Sequence, residues 1–195
     1  LSSSDDCELC SAGRWSIETG LTRDSFCAPC ELGTFQDKLG TTSSSCKACK
    51  MGTYSSVLGL ASSAGCKNCS AGKWSDQTGL ESDAQCAGRC PAGKWSDETG
   101  LKSESKCTSV CAAGRYSSEV GLSSGEQCEK CPKGYWSNRT AVNTTYDVCT
   151  ACAAGKFSRS GQVGQPSEDD CEACSAGTWS SEPHETKVCK KCPEG

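Results

Sequence analysis

The sequence is poor in almost everything from which a globular core is made. Leu, Ile, Val and Phe together supply only 21 of its 195 residues, about 11 %. That is well under the roughly 20 % below which a composition reads as disordered. There is one Met and one His. With His184 alone, in "SEPHET", a catalytic triad or a histidine-bearing metal centre has little to draw on. No apolar run approaches the ~18 residues of a membrane span. No block of like charge exceeds the "EDD" at Glu168–Asp170, and a net charge of −4 leaves no basic footprint for nucleic acid. A leader pattern is lacking, and the text starts at Leu1, not Met, which reads as a piece of a longer secreted or membrane-anchored protein. Helical periodicity is lacking too.

What the sequence does have is cysteine: 20 of 195 residues. Covalent staples let chains fold that cannot bury a sufficient core, and they persist in oxidising compartments. The cysteines fall into ten close pairs: 7/10, 27/30, 46/49, 66/69, 86/90, 107/111, 128/131, 149/152, 171/174 and 189/192. A period of about 20 residues separates them, the mark of a repeat array. "CSAGKWSDQTGLESDAQC" at 69–86 and "CPAGKWSDETGLKSESKC" at 90–107 are two near-copies of the unit.

Nine repeats follow, at 10–27, 30–46, 49–66, 69–86, 90–107, 111–128, 131–149, 152–171 and 174–189, numbered here 1 to 9. Residues 1–9 read as the end of a preceding unit and 190–195 as the start of another. A first Gly stands three residues into each repeat, from Gly13 to Gly177. Two residues on comes an aromatic without exception: Trp15, Phe35, Tyr54, Trp74, Trp95, Tyr116, Trp136, Phe157 and Trp179. Eight of the nine are followed by Ser, with Gln36 the departure. Most repeats then carry a second Gly, as in "ETGL" with Gly20. The Gly-x-aromatic-Ser stretch predicts a short strand with its aromatic inward, and segments such as "SDETG" predict turns. The expected fold is an elongated tandem array of small disulfide-rich repeats, with short β-strands and turns, almost no helix and no single hydrophobic core.

Twenty cysteines permit very many connectivities, and sequence alone does not fix one. Joining both members of a Cys-x-x-Cys closes a small strained ring suited to redox enzymes. Joining the second cysteine of one pair to the first of the next closes a loop of constant content. That pairing gives Cys10–Cys27, Cys30–Cys46, Cys49–Cys66, Cys69–Cys86, Cys90–Cys107, Cys111–Cys128, Cys131–Cys149, Cys152–Cys171 and Cys174–Cys189. Each loop would contribute roughly 3 kcal/mol on chain-entropy grounds. Cys7 and Cys192 are then expected to find partners beyond these residues. Repeats touching only their neighbours would make a quasi-one-dimensional rod.

The pattern C-x-x-G-x-[WYF]-S…C-x-x-C-x-x-G-x-[WYF] resembles the ephrin-receptor-like cysteine-rich repeat, a relative of the tumour-necrosis-factor-receptor cysteine-rich modules. The resemblance runs from Cys7 to Cys192. It implies the same pairing, since in that family the cysteine before Gly-x-aromatic bonds the next one downstream. The pairs 86/90 and 107/111 depart by holding three intervening residues, and "NRTAVNTTYDVC", "RSGQVGQPSEDDC" and "SEPHETKVC" make the last three repeats irregular. Such a motif identifies a module, not an activity.

Cys7/Cys10 with Cys27/Cys30 has zinc-ribbon spacing. A zinc site explains neither the recurring aromatic nor ten evenly spaced pairs. "CAPC" at Cys27–Cys30 reads as a linker between staples, and "EDD" as a solvated turn rather than a calcium site. The aromatics read as burial against each repeat's cystine and neighbouring strand, not as a ligand-binding stripe. Sequons place candidate N-glycans at Asn138 and Asn143, and a poorer one at Asn68 inside a cysteine pair.

No cofactor, metal, nucleic acid or membrane insertion is expected. The anticipated role is a non-enzymatic extracellular stalk, spacer or filament segment of a surface or appendage glycoprotein. Its partners would be other copies of itself or other surface proteins. The alternative is a ligand-binding receptor ectodomain, best addressed at Asn138 to Pro183.

Overall fold

A turn followed by an aromatic opens each repeat, because a Gly sits where a left-handed residue is required. In repeat 1 the Arg14 N–H donates to the Ser11 carbonyl at 3.1 Å, closing a turn whose third residue, Gly13, has φ +85°. The aromatic that follows belongs to a strand two or three residues long. The computed structural model describes residues 9–144, 148–158, 163–180 and 189–192, and these form two units. The first comprises residues 1–88 and 98–106, the second residues 89–97 and 107–195. Cys7 and His184 lie outside the described residues.

Among the described residues there is no α-helix. Each aromatic strand pairs antiparallel with the short strand between two cysteines at its own repeat's exit. In the first unit Arg14–Trp15 pairs with Ala28–Pro29, Thr34–Phe35 with Lys47–Ala48, and Thr53–Tyr54 with Lys67–Asn68. In the second unit Lys94–Trp95 pairs with Ser109–Val110, Arg115–Tyr116 with Glu129–Lys130, and Tyr135–Trp136 with Thr150–Ala151. Lys156–Ser158 pairs likewise with Cys171–Ala173, and Thr178–Trp179 with Lys190–Lys191. A single 3-10 turn leads into most closing cysteines, such as Asp83–Gln85 before Cys86 and Gly125–Gln127 before Cys128.

Nine disulfides join Cys10–Cys27, Cys30–Cys46, Cys49–Cys66, Cys69–Cys86 and Cys90–Cys107, then Cys111–Cys128, Cys131–Cys149, Cys152–Cys171 and Cys174–Cys189. Every one closes a loop within one repeat. The buried apolar residues are mainly these cysteines together with Leu80, Leu101 and Leu122. Among the described residues there is no single hydrophobic core, and the interior is a series of cystines. Their neighbours of lowest exposure include the Ser that follows the aromatic: Ser55, Ser75, Ser96, Ser117, Ser137, Ser158 and Ser180 are all buried.

Candidate functional site

The functional feature of this fold is the joint by which one repeat seats on the next. Each joint is built from main-chain groups first. In the first unit the second Gly of a repeat donates its N–H to the opening cysteine of the repeat before: Gly40 to Cys10, Gly59 to Cys30, Gly79 to Cys49 and Gly100 to Cys69, at 2.8–2.9 Å. In repeat 3 the buried residue after the aromatic faces both ways. Ser55 donates its N–H to the Leu80 carbonyl of the following repeat, and its carbonyl accepts from Gly33 of the preceding one. The second unit repeats the pattern with Gly121 to Cys90, Ala141 to Cys111 and Gly164 to Cys131.

Side chains complete the joint. Tyr54 of repeat 3 packs on Leu80 and the Cys69–Cys86 bridge of repeat 4. Trp95 of repeat 5 packs on Leu122 and the Cys111–Cys128 bridge of repeat 6. The sequence reading set each aromatic against its repeat's cystine and the neighbouring strand; in both clusters the ring packs on the next repeat's Leu and bridge. The backbone explains it, because the aromatic strand forms parallel bridges forward, Phe35 to Leu60, Tyr54 to Leu80, Trp74 to Leu101, Trp95 to Leu122 and Trp136 to Gln165. Among these rings Phe35 is buried, Trp15, Tyr54, Trp74, Trp95, Tyr116, Trp136 and Phe157 are half-buried, and Trp179 is exposed.

The expectation that repeats touch only their neighbours is corrected. Repeats do not touch only their nearest neighbours. The first Gly of a repeat abuts the second-Gly turn two repeats on: Gly13 against Gly59, Gly33 against Gly79 and Gly52 against Gly100 in the first unit. In the second unit a side chain on Gly93 would begin 2.6 Å from the Ala141 carbonyl oxygen, and Gly114 meets Gly164 in the same way. Close backbone approach, not only left-handed dihedrals, requires glycine at these positions.

Ion pairs brace the loops from outside. Lys73 Nζ binds Asp83 Oδ2, Arg14 Nε lies 3.5 Å from Asp24 Oδ2, and Lys156 Nζ lies 3.2 Å from Glu168 Oε1. Where Thr replaces the basic residue, its hydroxyl donates to the turn carbonyl instead, as from Thr34 to Glu31 and from Thr53 to Lys50. The backbone N–H of Ser11 is the main reason that the Asp24 carboxyl titrates below its usual range, with the Ser11 hydroxyl and Arg14 adding to it against a modest desolvation. Lys47 does the same for Asp37. At Asp83 partial burial pushes upward, but the Lys73 ammonium and the Ser70 N–H outweigh it.

The remaining sequence candidates fall as follows. Cys27 and Cys30 of "CAPC" are bonded to Cys10 and Cys46 respectively. Cys192 is exposed and bonds to no described cysteine, its N–H donating to the Gly177 carbonyl. Glu168 and Asp170 of "EDD" are engaged by Lys156 and by the Ser167 N–H. Among the described residues no group of three or more His, Cys, Asp or Glu could hold a metal ion, and no helix is long and apolar enough to cross a membrane. Asn138 and Asn143 are exposed in the turn of repeat 7. Asn68 differs: its amide donates to Thr99 Oγ1 at 3.1 Å and its side chain lies against Gly100.

No family model matches the chain, and no curated protein matches it in sequence. The fold itself carries the conclusion. A chain stapled by nine disulfides suits an oxidising, extracellular setting and is compatible with a structural or receptor-like segment.

Sequence reasoning missed the Ser after the aromatic as an interior residue, although its recurrence was visible. Its hydroxyl accepts from the N–H two residues on, as Ser55 from Val57, Ser75 from Gln77 and Ser117 from Glu119. A small polar residue bonded to its own turn is what such a buried place accepts. The basic–acidic spacing of ten residues, Arg14/Asp24 and Lys73/Asp83, was likewise a readable signal.

Proposed function

We propose that this chain is a non-enzymatic extracellular structural segment, a stalk, spacer or filament section of a surface or appendage glycoprotein. The observation that carries the reading is the uniformity of the joint. In each unit the same main-chain hydrogen bonds recur from repeat to repeat at nearly the same length. A joint made by backbone groups does not depend on which side chains decorate it, so it holds one geometry while the surface varies. Spacers and fibres use that property; a binding site concentrates unusual side chains in one place. Membership of the ephrin-receptor-like repeat family, suggested by the cysteine and aromatic pattern, is part of this proposal. So are N-glycans at Asn138 and Asn143.

A second reading, a receptor ectodomain, is favoured by one observation. A surface groove in repeat 7 is lined by Asn138, Arg139, Val142, Asn143 and Val148, within the irregular part of the sequence. Negative-stain microscopy of protein from its source separates the two. Long rods or polymers are the expected result. Monodisperse particles that capture a soluble protein, and release it when repeat 7 is altered, would establish the receptor instead.

A further inference from the structure

Two of the nine closing cysteines are less covered than the rest. Cys46 and Cys66 are half-buried, whereas Cys27, Cys86, Cys107 and Cys128 are no more than 2 % exposed. Cys149, Cys171 and Cys189 are buried as well. Both half-buried cysteines belong to the first unit, in repeats 2 and 3, with described repeats before and after them.

What distinguishes these repeats is a missing brace. In repeat 1 Arg14 donates from Nη1 to the Cys27 carbonyl at 2.8 Å, and in repeat 6 Arg115 donates from Nη1 to the Cys128 carbonyl at 3.2 Å. Arg14 and Lys73 also pair with an acid three residues before the closing cysteine, Asp24 and Asp83. Repeat 3 has Thr53 and Ser63 in those two places. The Thr53 hydroxyl turns back to the Lys50 carbonyl at 2.7 Å, and a groove lined by Lys50, Thr53, Ser63 and Cys66 opens where the brace would lie. Repeat 2 makes the same change. Thr34 donates to the Glu31 carbonyl at 2.8 Å, and a groove there is lined by Trp15, Glu31, Thr34, Ser44 and Cys46 among others. Repeat 9 also carries Thr at this place, Thr178, but its loop runs through residues 181–188, outside the described residues.

We propose that Cys49–Cys66, with Cys30–Cys46 beside it, is a thiol-exchange site for a small anionic thiol, while the braced bridges stay closed to it. Exchange requires a thiolate to reach one sulfur of a bridge. The groove supplies that access at the closing cysteine, its opening partners Cys30 and Cys49 being fully buried. The incoming thiolate bonds to Sγ of Cys66 as the Cys49–Cys66 bond breaks. The electron pair leaves on the Cys49 sulfur, which takes a proton from water. A second thiol attacking the mixed disulfide joins the two small thiols and leaves both cysteines reduced, two electrons having passed to the bridge. Lys50 lines the Cys66 groove and Glu31 the Cys46 groove, so a thiol bearing an acid group favours Cys66. Exchange would loosen repeats 2 and 3 and leave the rest stapled, whether the chain is a stalk or a receptor segment.

The test uses the whole 195-residue chain, secreted by an oxidising host, with any free thiols blocked beforehand. The folded protein is treated with mercaptoethanesulfonate, quenched in acid at intervals, alkylated and mapped peptide by peptide. Cys66 and Cys46 are expected to react at least about tenfold faster than Cys86, Cys107 and Cys128, with Cys66 ahead. With neutral mercaptoethanol the lead of Cys66 over Cys46 should shrink; an equal lead for both thiols would overturn the anionic preference. Rebuilding the brace by Thr53→Lys with Ser63→Asp is expected to slow Cys66 to the rate of Cys86 and leave Cys46 unchanged. Removing it by Lys73→Thr with Asp83→Ser should open Cys86. Non-reducing mass before treatment checks that each variant has its bridges, and if one does not, the wild-type order of rates decides alone. All these bridges reacting at one rate, or a braced repeat 3 exchanging as fast as wild type, would overturn the site.

Discussion

The two units use the same joint with different residues. In the first, the turn that seats on the preceding repeat is Gly40–Thr41, Gly59–Leu60, Gly79–Leu80 or Gly100–Leu101. In the second, repeats 7 and 8 put Ala141–Val142 and Gly164–Gln165 in that place. The bonds survive the change. Ala141 donates to the Cys111 carbonyl at 2.9 Å and the Val142 carbonyl accepts from Ser117 at 3.1 Å. Gln165, buried where a Leu otherwise stands, bridges Trp136 and satisfies its amide with the Asp170 carbonyl at 3.0 Å. What is held constant is the backbone path, including the left-handed residue: Ala141 adopts φ +56°, the only non-Gly residue with positive φ among those described.

The largest expected effect compares a cystine that carries a Leu and a Tyr with one that does not. Replacing Cys69 and Cys86 by Ala is expected to cost about 2–5 kcal/mol in the first unit, read by denaturant unfolding. The same replacement of Cys152 and Cys171 should fall at the low end of that range, because polar Gln165 replaces the Leu there. Equal losses would mean that the bridge acts through the unfolded chain alone, with no share from the cluster. Next is Gly52→Ala. Its φ of +75° and its packing against Gly100 both oppose a methyl group, for a loss of about 2–3 kcal/mol. Hydrogen exchange should show faster opening at the Gly52 and Gly100 amides. A neutral substitution would refute the two-repeat reach of the joint.

The period, the strand at each aromatic and the replacement of a core by cystines were legible, since all follow from local spacing and composition. The partner of the aromatic was not. Nothing in "GTYS" says that Tyr54 packs on the next repeat's Leu80 and Cys69–Cys86 bridge, which is a contact between distant segments. The Gly13–Gly59 and Gly33–Gly79 contacts were hidden for the same reason, compounded by glycine's usual reading as a turn former. The interior place of Ser55 and its counterparts was not legible, because hydropathy does not see a hydroxyl bonded to its own turn.

Ala141→Gly sharpens the comparison in the opposite direction. Relieving a left-handed alanine should stabilise the second unit by about 1 kcal/mol, partly offset by the added freedom of the unfolded chain. The reciprocal change, Gly121→Ala, should destabilise it by at least as much, since φ there is +78° and Arg89 lies alongside. Thermal unfolding of the two variants, compared with the parent, reads both. If Ala141→Gly lowers stability, the alanine methyl makes a favourable contact that outweighs its dihedral.

The smallest effect separates the loop braces of the two units by pH. Asp83 sits below its ordinary value of 3.8 because Lys73 and the Ser70 N–H favour its charged form. A carboxyl depressed on folding stabilises the protein above its unfolded pKa, and that contribution disappears as pH falls through the folded pKa. Asp83→Asn should therefore cost under about 1 kcal/mol at neutral pH and nothing in strong acid. The counterpart in repeat 6 pairs Arg115 with Glu126 at 3.5 Å, the glutamate 87 % exposed. Glu126→Gln is expected to leave stability unchanged at either pH. Equal, pH-independent losses at the two sites would mean that the side chains brace their loops by packing of their stems rather than by charge.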